Sequence, residues 1–103
     1  MSKNFKAYNR ILDLSGNTPL VKLNNITKDI PGNFYAKVEV FNPGHSNKDR
    51  IALHIIESAE KKGLLKPGST IIETTSGNTG FSLSMVSMIK GYNCILAVSS
   101  KSS

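Results

Sequence analysis

Hydrophobic and polar positions along the chain predict short strands and two helices. From residue 34 to residue 40 apolar and polar side chains alternate, which predicts a strand with one buried face. Apolar residues then recur every three to four positions over 47–62 and again over 81–90, and this period predicts two amphipathic helices. Gly63 and Gly91 follow these segments directly, as is usual where helices end.

Each predicted helix carries one apolar stripe, which we expect to face the core. The stripes consist of Ile51, Ile55, Ile56 and Ala59 in the first helix and of Phe81, Met85, Met88 and Ile89 in the second. The pattern also predicts strands at 20–23, 69–73 and 93–98, a short helix at 8–14 and a loop at 24–32. A chain of 103 residues fits one unit with a modest core.

The order strand, glycine-containing turn, helix and strand between residues 69 and 98 predicts a βαβ unit. Such a unit implies a parallel sheet with a crossover helix, and hence the α/β fold class. Ligands of these sheets bind beyond the carboxyl ends of the strands. The turn at 74–80, with the sequence Thr-Thr-Ser-Gly-Asn-Thr-Gly, occupies that position.

The polar groups of this turn predict a neutral cradle for an anion. Backbone N–H groups at the helix start would act together with the hydroxyls of Thr75, Ser76 and Thr79 and the amide of Asn78. No lysine follows as in a P-loop, and the pattern is not Gly-x-Gly-x-x-Gly, so neither a nucleoside triphosphate nor a dinucleotide is favoured. A capped helix start without a ligand is the alternative that the residues leave open.

A lysine at the start of the first helix is the second candidate for chemistry. Ser46 is the predicted N-cap residue, with Asp49 in place of the usual glutamate of a capping box. Lys48 then lies in the first turn, where the helix dipole and any burial favour the neutral form of an amine. A neutral amine is a nucleophile that forms Schiff bases with carbonyl groups. The spacing alone also allows a solvated lysine without a chemical role.

Composition narrows the class of partner. Lysine and arginine total 13 against 7 acidic residues, a formal charge of +6, but the basic residues are scattered and lack interleaved aromatics, which argues against a nucleic-acid partner. The longest apolar run, Cys94 to Val98, is too short to cross a membrane, and we expect a soluble cytoplasmic protein.

Cys94 is the only cysteine, so an internal disulfide is excluded, and neither His45 nor His54 has a partner at metal-ligand spacing.

Three motifs in order give the chain a family resemblance. They are Asn-Pro-Gly at 42–44, Ser-x-Lys-Asp-Arg at 46–50 and Thr-Ser-Gly-Asn-Thr-Gly at 75–80. Together they resemble the cysteine synthase and cystathionine β-synthase family, the fold-type II pyridoxal-phosphate enzymes, and Gly-Asn-Thr-Pro-Leu at 16–20 is similar to the N-terminal signature of that family. The resemblance extends from about Asn9 to the end of the chain.

The resemblance implies a cofactor, a reaction and site residues. Lys48 is similar to the lysine that holds pyridoxal 5'-phosphate, and Thr75, Ser76, Asn78 and Thr79 resemble the loop that binds the α-carboxylate of the amino-acid substrate, with Asn78 also near the cofactor. The implied reaction is β-replacement on O-acetylserine or serine by sulfide or a thiol, which gives cysteine or cystathionine. A homodimer is implied as well. A non-catalytic module that binds an anion or a partner is the alternative.

The resemblance is incomplete in two respects. His45 stands where the family usually has a second glycine, and this difference either reshapes the site or marks a subfamily. Family members are also much longer, and their phosphate-binding loop lies in the later part of the chain. We therefore expect residues 1–103 to be the N-terminal portion of such an enzyme, inactive alone, with 1–41 belonging to the larger domain and 42–103 beginning the smaller α/β domain.

Overall fold

A computed structural model describes residues 7–75 and 77–101 of the chain. Two single 3₁₀ turns, Ile11–Leu14 and Glu39–Phe41, accompany four strands and two helices. The strands and helices are β1 (Leu20–Leu23), β2 (Phe34–Lys37), α1 (Lys48–Lys61), β3 (Thr70–Thr74), α2 (Asn78–Lys90) and β4 (Asn93–Ala97).

The N-terminal strands form an antiparallel pair in which Leu20 lies opposite Lys37 and Leu23 opposite Phe34. The predicted alternation holds within β2, where Phe34 and Ala36 are half-buried. It fails beyond that strand, because the chain turns into a 3₁₀ helix at Glu39–Phe41 and leaves Val40 exposed. The prediction of a strand as far as residue 40 was wrong for that reason.

The predicted βαβ unit is confirmed, and with it the α/β fold class. Strands β3 and β4 are parallel, with Thr70 opposite Asn93 and Thr74 opposite Ala97. Helix α2 connects them and packs against both. It begins at Asn78, one turn before the predicted start at residue 81, because the apolar pattern does not include the polar first turn.

The predicted apolar stripes of both helices were half right: Ile56, Ala59, Met85 and Ile89 are buried or half-buried, and the other four positions are exposed. In α1 the buried positions are Asp49, Ala52 and Ile56, whereas Ile51 and Ile55 are 42% and 50% exposed. In α2 the buried positions are Gly80, Ser82, Leu83, Val86 and Ser87, whereas Phe81 and Met88 are 57% and 74% exposed. Small and polar residues are thus buried beside Ile56, Leu83 and Val86, and a hydrophobic pattern does not single out such residues.

The core is small and lies between these two helices and the N-terminal turn. It consists of Leu12, Ala52, Ile56, Leu83 and Val86. The short helix predicted at 8–14 is a 3₁₀ turn over Ile11–Leu14 that contributes Leu12 to this cluster. The N-terminal turn is thereby packed against the βαβ unit.

Polar contacts at both ends of the helix pair show that α1 and α2 run in the same direction. Near their N-termini the Ser82 hydroxyl donates to Asp49 Oδ1 at 2.7 Å. Near their C-termini Glu60 accepts hydrogen bonds from Lys90 Nζ at 2.9 Å and from the Tyr92 hydroxyl at 2.6 Å. The two helix N-termini therefore lie at one end of the unit.

The Glu60 contacts also set its charge state. The Tyr92 hydroxyl and the Lys90 ammonium together lower the pKa of Glu60, while the same carboxylate raises the pKa of Tyr92.

Both helices end at glycines in the left-handed region, Gly63 with φ +73° and Gly91 with φ +81°, as the sequence predicts.

Tyr92→Phe tests the contact at the C-terminal ends of the helices. We expect it to lower the free energy of unfolding, because a hydrogen bond to a charged group is lost while the ring stays. Urea denaturation followed by circular dichroism measures the change. Tyr35→Phe is the matched control, since Tyr35 is exposed and its hydroxyl has no partner among the described residues. Equal stability of the two variants would contradict this role of the Tyr92 hydroxyl.

Candidate active site

Lys48 is the first residue of α1, so the structure places it at the helix N-terminus, as the sequence predicts. The N-cap position is held by Asn47 rather than Ser46, but the Ser46 hydroxyl accepts a hydrogen bond from the Lys48 N–H at 3.2 Å. The Lys48 side chain is half-buried. Within residues 7–75 and 77–101 its ammonium group has no ion-pair or hydrogen-bond partner.

Asp49 does not complete a capping box with Ser46, and that prediction was wrong. Its side chain is fully buried, and it accepts one hydrogen bond from the Gly44 N–H and one from the Ser82 hydroxyl. A Cβ atom at position 44 would overlap the Asp49 carboxylate, so only glycine allows this approach of backbone to side chain. The residue after Lys48 therefore ties the turn before α1 to the first turns of α2.

A buried amide holds the turn that leads to Lys48. Asn42 is 1% exposed; its Oδ1 accepts from the Gly16 N–H at 2.8 Å, and its Nδ2 donates to the Ser46 carbonyl at 2.8 Å and to Glu39 Oε2 at 2.9 Å. The amide is thus satisfied on both sides, as a buried polar group requires. It connects the motif at 16–20 to the motif at 46–50.

Arg50 and Glu39 form the charged part of the same network. Arg50 donates to Glu39 through Nε at 2.9 Å and Nη2 at 3.1 Å, in the paired geometry that favours arginine with carboxylates. Arg50 Nη2 also donates to the Gly16 carbonyl at 2.7 Å, and the Thr18 hydroxyl donates to Glu39 Oε1 at 2.6 Å. The hydrogen bond from Arg50 is the largest cause that lowers the pKa of Glu39 from 4.5 to about 2.

Sequence reasoning missed two residues of this arrangement, Glu39 and Ser82. Glu39 is one of the polar positions in the alternating run at 34–40. No pattern in the sequence relates it to Arg50, which lies in the following helix. Ser82 lies among the residues of α2 as one of several serines. Only the packing of α2 on α1 brings its hydroxyl to Asp49.

The polar turn lies at the carboxyl end of β3, where the sequence predicts a ligand site. Thr75 is half-buried, and its Oγ1 accepts from the Gly80 N–H at 3.0 Å while its own N–H continues the ladder to the Ala97 carbonyl at 3.1 Å. In the described part of the chain no partner is bonded to the side chains of Asn78 and Thr79. Ser76 lies outside the described residues.

Lys48 and this turn belong to the same end of the molecule. Thr75 directly follows β3, and Asn78 begins α2. Lys48 begins α1, and the parallel helices are joined near these N-termini by Asp49 and Ser82. The carboxyl ends of β3 and β4 lie beside each other, with Thr74 opposite Ala97. The arrangement therefore brings an amine and two sets of helix-start N–H groups to the edge at which α/β sheets bind ligands.

His45 adopts φ +65°, in the left-handed region that favours glycine. Its N–H donates to the Asn42 carbonyl at 2.8 Å, which closes the turn before α1. The exposed imidazole lines an open groove with Ile11, Leu14 and Phe41. The position thus has a backbone conformation that favours glycine, the residue that the family usually has there.

The described residues hold no group of three or more histidine, cysteine or acidic side chains that could bind a metal ion. Cys94 is a free, half-buried thiol beside the Ser84 hydroxyl, at 3.9 Å. No helix in the described part of the chain has the length and apolar character needed to cross a membrane.

Glu39→Gln tests the network around Lys48 through pH. Because the pKa of Glu39 is lower in the folded chain, about 2, than its ordinary 4.5, its carboxylate stabilises the fold above pH 4.5. That contribution is lost as the pH falls from 4.5 to 2. We expect the melting temperature of the wild type to exceed that of Glu39→Gln at neutral pH and the two to converge at the acidic end of this window. Scanning calorimetry across the pH range measures the two melting temperatures.

Asp29→Asn is the control for this pH series, because Asp29 is exposed and pairs with no cation in residues 7–75 and 77–101. Its melting temperature should follow that of the wild type throughout. A difference between wild type and Glu39→Gln that stays constant over the whole window would show that the Glu39 charge does not stabilise the fold.

Comparison with known proteins supplies close relatives for this arrangement. The family described as pyridoxal-phosphate dependent enzyme matches residues 11–103. Cystathionine beta-synthase of Apis mellifera is 57% identical over 95 residues, which are 90% of this chain and 19% of that protein. Cysteine synthase of Staphylococcus aureus (strain Mu50 / ATCC 700699) is 48% identical over 93 residues, 90% of this chain and 30% of that protein.

Solved structures agree with the sequence comparison. An O-ureido-L-serine synthase superposes with a TM-score of 0.86 at 46% identity, covering 95% of this chain and 31% of that one. A hydrogen sulfide-producing enzyme from Fusobacterium nucleatum superposes with a TM-score of 0.87 at 48% identity, covering 94% of this chain and 32% of that one. The chain thus spans less than a third of the length of these relatives. With the family match over 11–103, these likenesses establish that the chain belongs to the pyridoxal-phosphate dependent enzymes.

Proposed function

We propose that the protein containing this chain is a pyridoxal-phosphate enzyme of β-replacement. Its substrate is a serine-type amino acid, O-acetylserine or serine, and the incoming nucleophile is sulfide or a thiol, so that the product is cysteine or cystathionine. The observation that carries the proposal is the placement of Lys48 and the turn at 75–79 at one end of a pair of parallel helices. Relatives named cystathionine beta-synthase and cysteine synthase match over most of this chain.

The residues present fit pyridoxal phosphate. The aldehyde of the cofactor requires a primary amine, and Lys48 offers one that is half-buried and unpaired within the described residues. A lysine held in an ion pair would have to break that contact before it could react. Lys48 has no such ion pair among the described residues. When bound, the cofactor supplies an electron sink for a carbanion at the substrate Cα.

The roles of the chain's own residues follow from their positions. Lys48 would hold the cofactor through its amine and, once the amine is free, take the proton from the substrate Cα. Asn78 and Thr79, in the first turn of α2, would donate hydrogen bonds to the substrate carboxylate together with Thr75 and Ser76. The positive end of the α2 dipole favours an anion at this place.

Domain organisation and assembly form part of the proposal. Residues 1–41, which include the antiparallel β1–β2 pair, would belong to the larger domain of the enzyme, and residues 42–103 would begin the smaller α/β domain. The separation of the strands into two sheets, β1–β2 and β3–β4, supports this division. The complete enzyme would act as a homodimer on a small amino-acid substrate in the cytoplasm.

Lys48→Ala tests the assignment of the amine. In the complete gene product, pyridoxal phosphate should give a visible absorbance band, and borohydride should fix the cofactor on Lys48 as identified by peptide mass spectrometry. Lys48→Ala should remove the label and lower kcat by at least about a hundredfold, since a positioned acid–base group contributes that much or more. Lys62→Ala, at the exposed C-terminal end of α1, should leave both the label on Lys48 and kcat unchanged.

The same experiment separates the enzyme from a non-catalytic module that binds an anion or a partner. Such a module would show no visible band with pyridoxal phosphate, or would carry the label on other lysines. Either result would rule out the proposed function, as would wild-type turnover by Lys48→Ala.

Asn78→Ala tests the carboxylate site. We expect KM for the amino acid to rise about tenfold or more, because one hydrogen bond to a charged group is lost, while the label on Lys48 persists. Steady-state kinetics with the amino acid varied measures the change. Asn24→Ala is the control, since Asn24 is an exposed amide in the loop at 24–32 and its loss should not alter KM. An unchanged KM in Asn78→Ala would exclude Asn78 from the substrate site.

A further inference from the structure

We propose that the hydrogen bond between Ser82 and Asp49 positions the Lys48 amine against the turn at 75–79, so that Ser82 and Asp49 are positioning residues of the active site. The inference rests on the proposed function for the chemical role of Lys48. It assigns a role to a serine that no sequence motif of the chain includes, and it concerns the geometry of the site rather than its chemistry.

Asp49 is suited to this role because its carboxylate is buried without a counter-charge. It is 0% exposed, and no cation in the described part of the chain pairs with it, since the neighbouring Arg50 is turned to Glu39. Its hydrogen bonds are those from the Gly44 N–H and the Ser82 hydroxyl. A buried carboxylate depends strongly on such bonds, because losing one leaves an acceptor unsatisfied.

Ser82 provides the partner from the other helix. It is 0% exposed and lies one turn beyond Asn78 in α2, while Asp49 directly follows Lys48 in α1. The bond of 2.7 Å is therefore a direct polar link between the turn that carries the amine and the helix that carries the substrate loop. The second bond of Asp49, from Gly44, fixes the turn before Lys48 at the same time.

Small displacements of reacting groups matter in catalysis: a misplacement of about 1 Å costs up to roughly a hundredfold in rate. Without the Ser82 hydroxyl, α1 and α2 still pack through Ala52, Leu83 and Val86, so the fold persists. The first turn of α1 then loses its polar tie to α2. We expect the amine to become more mobile and more accessible.

Ser87 offers a matched control in the same helix. Its side chain is also 0% exposed, but its Oγ has no hydrogen-bond partner among the described residues. Ser87→Ala removes a buried hydroxyl of the same size without breaking a bond. Ser82→Ala breaks the bond to Asp49, so the difference between the two variants isolates that bond.

The test compares wild type, Ser82→Ala and Ser87→Ala in the complete gene product, first without cofactor. A limiting amine reagent is added, and the labelling rates of Lys48 and Lys90 are followed by mass spectrometry. Lys90 lies at the opposite end of the helix pair, only 11% exposed and ion-paired to Glu60, so global loosening would raise its rate too. In Ser82→Ala we expect the Lys48 rate to rise at least about threefold with no change at Lys90.

Kinetics of the loaded enzyme provide the second readout. Ser82→Ala should lower kcat about tenfold with a smaller change in KM, because the amine is misplaced while the carboxylate site remains. Ser87→Ala should match the wild type. If Ser82→Ala does not accumulate as a folded protein, Ser82→Cys keeps the shape of the side chain with a slightly larger atom that is a weaker donor, and it should show the same changes at smaller size.

Two results would overturn the positioning role: Lys48 labelling in Ser82→Ala equal to that in Ser87→Ala, or a rise shared equally by Lys90. The outcome is separable from the proposed function. Failure of the cofactor to attach to Lys48 in the wild type would remove the enzyme assignment, whereas the labelling comparison in the cofactor-free protein would still decide whether Ser82 fixes the Lys48 turn.

Discussion

A single buried carboxylate joins the turn before Lys48 to helix α2. Asp49 accepts hydrogen bonds from the turn that precedes α1 and from the side of α2. Asp49 is fully buried, and its neighbour Arg50 pairs with Glu39 instead. The stability of the buried carboxylate therefore depends on those two hydrogen-bond donors. Position 44 must also be a glycine, because any side chain there would overlap the Asp49 carboxylate. The position of Lys48 follows from this constraint.

The polar network around Asn42 extends the same principle toward the N-terminus. Asn42, Glu39 and Arg50 connect the segment at 16–18 to the first turn of α1. Most of these groups are wholly or partly buried and mutually satisfied, which gives such networks their rigidity. The motifs at 16–20, 42–44 and 46–50 are therefore parts of one support, and Lys48 in the last of them is left without a polar partner within the described residues.

The helices show how such a site can form without a large core. Five apolar residues make up the buried cluster, while Ile51, Ile55 and Phe81 of the predicted stripes remain exposed. Small residues such as Ala52 in α1 and Ser82 in α2 are buried instead, and small side chains allow helices to pack closely. The hydroxyl at 82 serves both purposes, since it is small and it donates to Asp49.

Local signals in the sequence determined much of this protein. Turn glycines, the period of the apolar residues and the order of elements correctly placed α1 and the parallel β3–β4 pair with a helix between its strands, because those features depend on neighbours along the chain. The motifs placed Lys48 at a helix start. The family match to residues 11–103 agrees with the resemblance that these motifs suggest.

Tertiary structure alone decided which helix faces are buried and what Asp49 and Glu39 contact. Two apolar faces of one helix are equivalent in a periodic pattern, and the choice between them depends on the element that packs against it. Arg50 lies 11 positions from its partner Glu39, and Ser82 lies 33 positions from its partner Asp49, beyond the reach of any local pattern. Hydrogen bonds between distant residues exist only once the chain is folded, and here they fix the place of the amine.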